Sequence, residues 1–325
     1  MFRTTLTAAL LLLASLTPGA AVAADMALVS RPSAFVRTAA GHSSEMDTEA
    51  MLGTPVRLEK AAGEWYRCTL PDSVHAYIHR SAVVKLTPAA YAAWKKSPRL
   101  VCIAPGAVPV VSDTLAAASP YSPFPRLSYL LNGAIVQGTA NHSGAWTRIT
   151  LPTGIAAYAP TQALLPLESL APKASEREIA ATALSTARLA MGSPYLWGGT
   201  SLLAPDCSGL VKAAYFAAGL ILPRNASQQA RVGETITAHD PSAWLPGDLL
   251  FFHSEAPGAD PTRVTHVGIY LGNGDLIHSS GVVHISSIRP DSPRYLPREV
   301  IGVRRIASRA GTRGITPVTK HTWYF

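Results

Sequence analysis

The chain has 325 residues, of which 48% are hydrophobic and 15% charged, with 24 Gly, 26 Pro and three Cys. That is enough chain for two or three packed domains and too apolar for a disordered segment, and ordinary Gly and Pro content with 7% aromatics excludes collagen-like and coiled-coil arrays. The net charge of +8 is concentrated at one end: from Arg289 onward eight basic residues face two acidic ones, a surplus of +6. Such an end suits nucleic acid, an anionic membrane, an anionic polymer or plain solvent, and charge alone does not choose among them.

Arg3 precedes an apolar run from Leu6 to Leu16 that ends at Pro18-Gly19 and passes into Ala20-Ala21-Val22-Ala23-Ala24. Residues 1–24 therefore read as a secretory signal peptide cleaved after Ala23 or Ala24. The run is shorter than the roughly 20 residues that cross a bilayer, and no Cys sits just beyond it for a lipid. The expectation is an exported protein, periplasmic or secreted, without a transmembrane segment or lipid anchor. Export permits disulfides, and Cys68 and Cys102 are the pair available. Each sits in a strand-like apolar context, which favours two buried thiols over a bridge.

Gly63-Glu64-Trp65-Tyr66-Arg67-Cys68-Thr69-Leu70-Pro71 recurs 81 residues later as Gly144-Ala145-Trp146-Thr147-Arg148-Ile149-Thr150-Leu151-Pro152. At the same offset Ala76-Tyr77-Ile78 falls on Ala157-Tyr158-Ala159, so one small domain occurs twice. Short alternating runs broken every 8–12 residues or so by Gly, Pro or Asp predict a small all-β barrel or sandwich in each copy. The repeated Gly-x-Trp strand, turn and Tyr-x-hydrophobic strand resembles the bacterial SH3-like domains of cell-wall enzymes, placed here at 25–86 and 99–167. Between them, residues 87–98 read as a helical connector flanked by Pro88 and Pro98. Ser175 with Glu178 three residues on is a capping box that opens a helix running to Met191 and stopping at Gly192. A further domain, 173–308, starts there, followed by a basic tail over 309–325.

From Cys207 the pattern is again helical, with Leu210, Val211, Ala214 and Ala217 on one face, Asp206 as N-cap and Gly219 to close it. Cys207 in the first turn feels the positive end of the helix, which favours thiolate, but adjoining Asp206 works against that, so a base must stand near. His266 to Ser280 reads as a hairpin. A two-residue Asn273-Gly274 turn would pair 269 with 278 and set His266 and His278 on opposite faces. A three-residue Gly272-Asn273-Gly274 loop pairs 268 with 278, Ile269 with Ile277, and brings both imidazoles to one face. The second register is expected, with His278 fixing the tautomer of His266.

Thiol, base and orienting group in this arrangement are those of a papain-like cysteine hydrolase. Tyr195-Leu196-Trp197-Gly198-Gly199, Asp206-Cys207-Ser208-Gly209-Leu210-Val211, Leu222-Pro223-Arg224-Asn225-Ala226-Ser227-Gln228-Gln229, Pro246-Gly247-Asp248-Leu249-Leu250-Phe251-Phe252 and His266-Val267-Gly268-Ile269-Tyr270 resemble, in order, the NlpC family of cell-wall cysteine peptidases. The resemblance implies an α+β papain-like catalytic domain, helices packed on an antiparallel sheet, behind two small all-β SH3-like barrels. It implies cleavage of peptidoglycan stem peptides, most often between D-glutamate and the diamino acid. Residue by residue, Cys207 matches the nucleophile, His266 the base and His278 the orienting third member. Asp206, Ser208, Tyr195, Trp197 and Ser227 match substrate-binding positions, Asp206 through the free amine of L-alanine. Ser44 to Gly53 resembles a loop whose acidic residue reaches that amine, which makes Glu45 the candidate. Where relatives place a Tyr shortly before the Gly-aromatic strand this chain has Val74, which leaves free-amine selection open.

Bland readings stand beside these: an inert helix thiol at Cys207, core aromatics at Tyr195 and Trp197, a solvated charge at Glu45. Cys207, His266 and His278 lack the close pair spacing of usual zinc motifs, so no metal or cofactor is expected. The partners expected are peptidoglycan or released muropeptide stems, with no nucleic acid, for a monomer. The alternatives are an N-acetylmuramoyl-L-alanine amidase, which uses the same acyl-transfer groups, and a catalytically silent wall-binding protein.

Overall fold

The structure, a computed structural model, describes residues 25–112, 126–139, 144–173, 175–237 and 239–325. The segment read as a signal peptide, 1–24, lies outside the described residues. Among those described, no helix is long and apolar enough to cross a membrane.

Strands β1 (Asp25–Val29), β2 (Ser33–Arg37), β3 (Met46–Met51), β4 (Pro55–Ala62), β5 (Trp65–Thr69), β6 (His75–His79) and β7 (Val83–Lys85) pair antiparallel in the order β3-β2-β6-β5-β4-β1-β7. Their alternation sends Val36, Val56, Leu58, Cys68 and Ile78 into one core. Strands β8 (Arg99–Cys102), β9 (Val108–Val111), β10 (Arg126–Leu130), β11 (Ile135–Gln137), β12 (Trp146–Thr150), β13 (Ala156–Pro160) and β14 (Leu164–Pro166) follow in the order β10-β9-β13-β12-β11-β8-β14. This is the first order with every number raised by seven. The 81-residue offset holds from β5 and β12 onward, whereas β2 and β9 start 75 residues apart, at Ser33 and Val108. Only the later half of the repeat is therefore visible as sequence identity. Cys68 and Cys102 are free and lie in separate cores, so the two-thiol expectation holds.

The connector folds as α1 (Pro88–Lys96), capped by Thr87 Oγ1 on the Ala90 N–H at 3.2 Å. The last unit contains α2 (Glu176–Leu189), α3 (Cys207–Ala217), β15 (Leu220–Ile221), α4 (Ala226–Gln229), β16 (Glu234–Ile236), β17 (Leu249–Phe252), β18 (His266–Gly272), β19 (Asp275–Ser280), β20 (Val282–Ser287), β21 (Val300–Arg305) and β22 (Thr316–Pro317). Its main sheet runs β16-β21-β17-β18-β19-β20, all antiparallel, with α3 laid between α2 and the β18–β19 hairpin. Leu210, Val211, Phe251, Val267, Ile269 and Ile277 fill the space between helix and sheet. This is the expected helices-on-antiparallel-sheet class.

The segment read as a basic tail is corrected by the structure, because it is built into the junction of all three units. Ile315, Val318 and Tyr324 are buried, β22 pairs with β15, and Tyr91 of α1 donates to the Trp323 carbonyl at 2.6 Å. Arg99 of β8 donates to the Tyr324 carbonyl and lies over the rings of Trp94 and Phe325, 4.7 and 4.9 Å from their centroids. Much of the basic run is also neutralised locally, with Arg294 paired to Asp275, Arg298 to Glu255, Arg305 to Asp248 and Arg309 to Glu234.

Candidate active site

Cys207 is the first residue of α3, and the Asp206 carboxylate caps that helix by accepting from the Gly209 N–H at 2.7 Å. Burial pushes the Cys207 thiol up to about 11, and the Asp206 charge adds to this. The backbone N–H groups of Val267 and Ser208 oppose the rise, which places the sulfur against the start of β18.

The hairpin that carries the histidines has the expected register by a different route. Gly272 pairs with Asp275 across a two-residue Asn273-Gly274 turn, both residues at positive φ (54° and 80°), as a type I′ turn demands. A bulge between Tyr270 and Gly272 then shifts the ladder by one, so that Tyr270 faces Leu276 and Ile269 faces Ile277. The three-residue loop is thus replaced by a tight turn plus a bulge, and both imidazoles still reach one face. Gly268 makes room for them: a Cβ there would stand 3.2 Å from the His278 Cβ and 2.6 Å from Leu276 Cδ1.

His266 Nε2 and His278 Nδ1 share a hydrogen bond of 2.8 Å, with ring centroids 5.0 Å apart. Burial is the main cause that lowers His266 to about 4 and His278 to about 2, so both are neutral near pH 7. Beyond them, His278 Nε2 meets Ser286 Oγ at 2.9 Å, and the His284 ring lies tilted by 52° against His278 with centroids 4.4 Å apart.

Cys207 opens onto a cleft of about 380 Å³. Tyr195, Trp197, Asp206, Ser208 and Ser227 line it from the last unit, and Thr38, Glu45, Met46 and Asp47 line it from the first β-unit, so the structure gathers every sequence-selected substrate residue in one place. Trp197 is 62% exposed, which excludes a core role. Val74 is not among the lining residues: it is packed in the core of the first β-unit.

Asp206 lines the cleft with both carboxylate oxygens engaged. Its two oxygens accept from the Gly198 and Gly209 N–H groups, from Ser208 Oγ, and from both terminal nitrogens of Arg224 at 3.0 and 2.5 Å. These five donors, two of them from the buried Arg224 guanidinium, hold Asp206 in the cleft wall with its charge paired. Arg224 also donates to Ser208 Oγ at 2.9 Å, committing that hydroxyl as well. Glu45 and Asp47 carry the remaining negative charge on the lining, with Arg263 the cation. Burial pushes the Asp47 carboxyl above its usual range, and Arg224 pulls the other way.

Arg224, Asp47 and Ser286 were missed as functional positions. Arg224 lay inside a quoted motif, but nothing local shows that it reaches another unit. Ser286 had a readable signal, since alternation in Val282 to Ser287 sets it on the same face as His284, which pairs with His278 across the ladder.

The Cys207 thiol abuts β18, the strand that His266 opens. Residues 192–305 match the NlpC/P60 family. They form an NlpC/P60 domain. A gamma-D-glutamyl-L-lysine dipeptidyl-peptidase of Bacillus subtilis is 35% identical over 138 residues, 42% of this chain and 44% of that protein. The peptidoglycan endopeptidase RipB of Mycobacterium tuberculosis is 33% identical over 150 residues, 42% of this chain and 58% of that one. The chain thus spans about half the length of these curated relatives. The crystal structure of an NlpC/P60 family protein from Bacillus cereus superposes with a TM-score of 0.68 at 20% identity, covering 86% of this chain and 99% of the other. That likeness extends the shared fold well beyond the NlpC/P60 domain into the two β-units.

Proposed function

We propose that the chain is an exported cysteine endopeptidase that hydrolyses peptidoglycan stem peptides at the bond between γ-D-glutamate and the L-diamino acid, taking free stems that begin with L-alanine. In this reading the units are a signal peptide (1–24), two SH3-like barrels (25–86 and 99–167) joined by a connector (87–98), and a peptidase unit from 173 on, acting as a monomer without nucleic acid. The observation that carries it is the His266 Nε2 to His278 Nδ1 bond: when Nε2 holds the proton, His266 Nδ1 is the free base, on the strand that packs against the helix headed by Cys207.

The steps follow from that chemistry. His266 Nδ1 takes the Cys207 proton as the sulfur attacks the γ-carbonyl carbon of D-glutamate, and backbone N–H groups at the start of α3 favour the oxyanion. The imidazolium returns the proton to the leaving amine of the diamino acid, and water then hydrolyses the thioester with His266 again as base. The Bacillus subtilis relative's printed activity supports the choice of bond, and Glu45 on the cleft lining supports a cationic substrate end.

The test is mass spectrometry of products from L-Ala-γ-D-Glu-L-Lys, its meso-diaminopimelate counterpart and purified muropeptides. Release of L-Ala-γ-D-Glu, abolished by Cys207→Ala with the fold retained, is expected. Release of intact stem peptides that leave a free lactyl carboxylate on the muramic acid would mean an amidase, undiminished product from Cys207→Ala would remove the thiol from the chemistry, and binding without products would mean a wall-binding protein.

A further inference from the structure

Resting on the peptidase reading above, we infer that Ser286 is a positioning residue that completes a chain Cys207–His266–His278–Ser286 and fixes the direction in which its protons point. From His266 to Ser286 the geometry is continuous: His266 Nε2 to His278 Nδ1 is 2.8 Å and His278 Nε2 to Ser286 Oγ is 2.9 Å, with all three side chains buried, and the Cys207 sulfur meets the backbone N–H of Val267, the residue after His266.

Each nitrogen and oxygen along this chain must find a donor or an acceptor to match its own role. While both imidazoles are neutral, the chain can run either way, because a hydroxyl donates as readily as it accepts. Once His266 takes the thiol proton it has two N–H groups, and its Nε2–H must donate to His278. His278 Nδ1 must then be an acceptor, its single N–H sits on Nε2, and the one group placed to receive that N–H is Ser286 Oγ. Removing the hydroxyl leaves a buried N–H unpaired only in the thiolate–imidazolium state, or forces the opposite tautomer, which puts a proton on the wrong nitrogen of His266. Other groups near this chain are His284, its ring tilted against that of His278, Arg298, which disfavours protonation of both imidazoles, and Asp206, which favours protonation of His266. None of them takes the His278 Nε2 position.

A stepwise balance keeps the claim bounded. The proton moves only from Cys207 Sγ to His266 Nδ1, while His278 and Ser286 reorient without gaining or losing charge.

The test uses the full chain and a readout independent of hydrolysis, the rate at which iodoacetamide alkylates Cys207, followed on the Cys207 peptide so that Cys68 and Cys102 do not interfere. Alkylation reads the thiolate. Ser286→Ala is expected to slow it about tenfold, to lower kcat by a similar factor and to leave KM within about twofold, whereas Ser286→Thr, which keeps the hydroxyl, restores both. A packing defect would act in the opposite sense, loosening the sheet and speeding alkylation. Unchanged or faster alkylation in Ser286→Ala, or loss in the Thr variant equal to that in Ala with both folded by circular dichroism, would overturn the inference. If the unmutated protein hydrolyses no stem peptide, the peptidase reading fails while the alkylation result still stands or falls by itself.

Discussion

Arg224 of the NlpC/P60 domain donates to Thr48 of the first β-unit, Nε to Oγ1 at 2.9 Å, with both residues buried. The same guanidinium holds Asp206, so the residue before the nucleophile and the β3 strand of another unit are tied to one cation. Next to it, Glu49 Oε2 accepts the N–H groups of Thr200 and Ser201 at 2.7 and 2.9 Å. The interface is thus polar and paired, and its parts are sensitive to removal of one partner. Arg224→Met should destabilise by about 3–5 kcal/mol because Asp206 is left as an uncompensated buried charge. Thr48→Val, which removes one of several bonds to Arg224, should cost only about 1–2 kcal/mol. Urea unfolding of both variants checks the order, and equal losses would refute it.

Acid should weaken the protein through its buried imidazoles. His266 and His278 are lowered by burial from 6.5 to about 4 and about 2, so between these values the unfolded chain binds more protons than the folded one. Stability therefore falls as pH drops below about 6.5, by up to about 1.4 kcal/mol per pH unit for each group inside its window. At the other end Cys207 and Cys102 are raised from 9.0 to about 11 and Cys68 to about 12. There the unfolded chain loses protons first, and stability falls again above pH 9. Thermal melts from pH 4 to 10.5 should give a plateau between those flanks, and His278→Asn should flatten the acid flank.

The C-terminal strap gives a third expectation. Tyr324 is buried against Trp94, Leu28 and Val318, where units meet, and its carbonyl receives Arg99. Tyr324→Ala should cost about 3–5 kcal/mol, the price of a large core aromatic. Calorimetry would detect it, and a variant as stable as the parent would mean that the last residues only rest on the surface.

How much of this was readable depends on the range of the interaction. The helix start at Cys207, the capping box at Ser175 and the alternation that pairs Ile269 with Ile277 are local patterns, and the chain folds by them. The bulge at Leu271 was not readable, because a bulge is chosen by what the strand must face and leaves no composition of its own. The docking of residues 316–325 was hidden for a related reason: Arg313 and Lys320 set the character of that segment in sequence, while Ile315, Val318 and Tyr324, spaced irregularly, set where it packs. The ion pair of Asp206 was hidden because its partner, Arg224, stands 18 residues away. Sequence neighbours say little about which charge a buried carboxylate meets.

In the proposed reading, with Asp206 held by Arg224, selection of the substrate falls to the acidic residues of the first β-unit that line the cleft. Glu45 is exposed on the lining, and Asp47 lies two residues on along the same strand direction, half-buried, with its carboxyl raised by burial and by the nearby Glu45 and Asp72 charges. A protonated amine brought between them would relieve that repulsion, which is the physical reason for a free N-terminus to bind there. Met46 and Thr38 of the first β-unit join the lining, and in the proposed reading they crowd a glycan on the alanine nitrogen. A charge-assisted contact of this kind contributes about 1.5–3 kcal/mol, so Glu45→Gln should lower kcat/KM for free tripeptide about ten- to a hundredfold. N-acetylated tripeptide should be a poor substrate for the parent and lose little more in the variant. Asp47→Asn should show the same selectivity for free over acetylated substrate loss, while Asp206→Asn should lose stability as well as activity, because it breaks the Arg224 pair. Measuring both substrates with all four proteins separates the roles. Equal cleavage of glycan-linked and free stems by the parent would show that the first β-unit closes nothing, and the pair of β-units would then be read as an anchor on the wall.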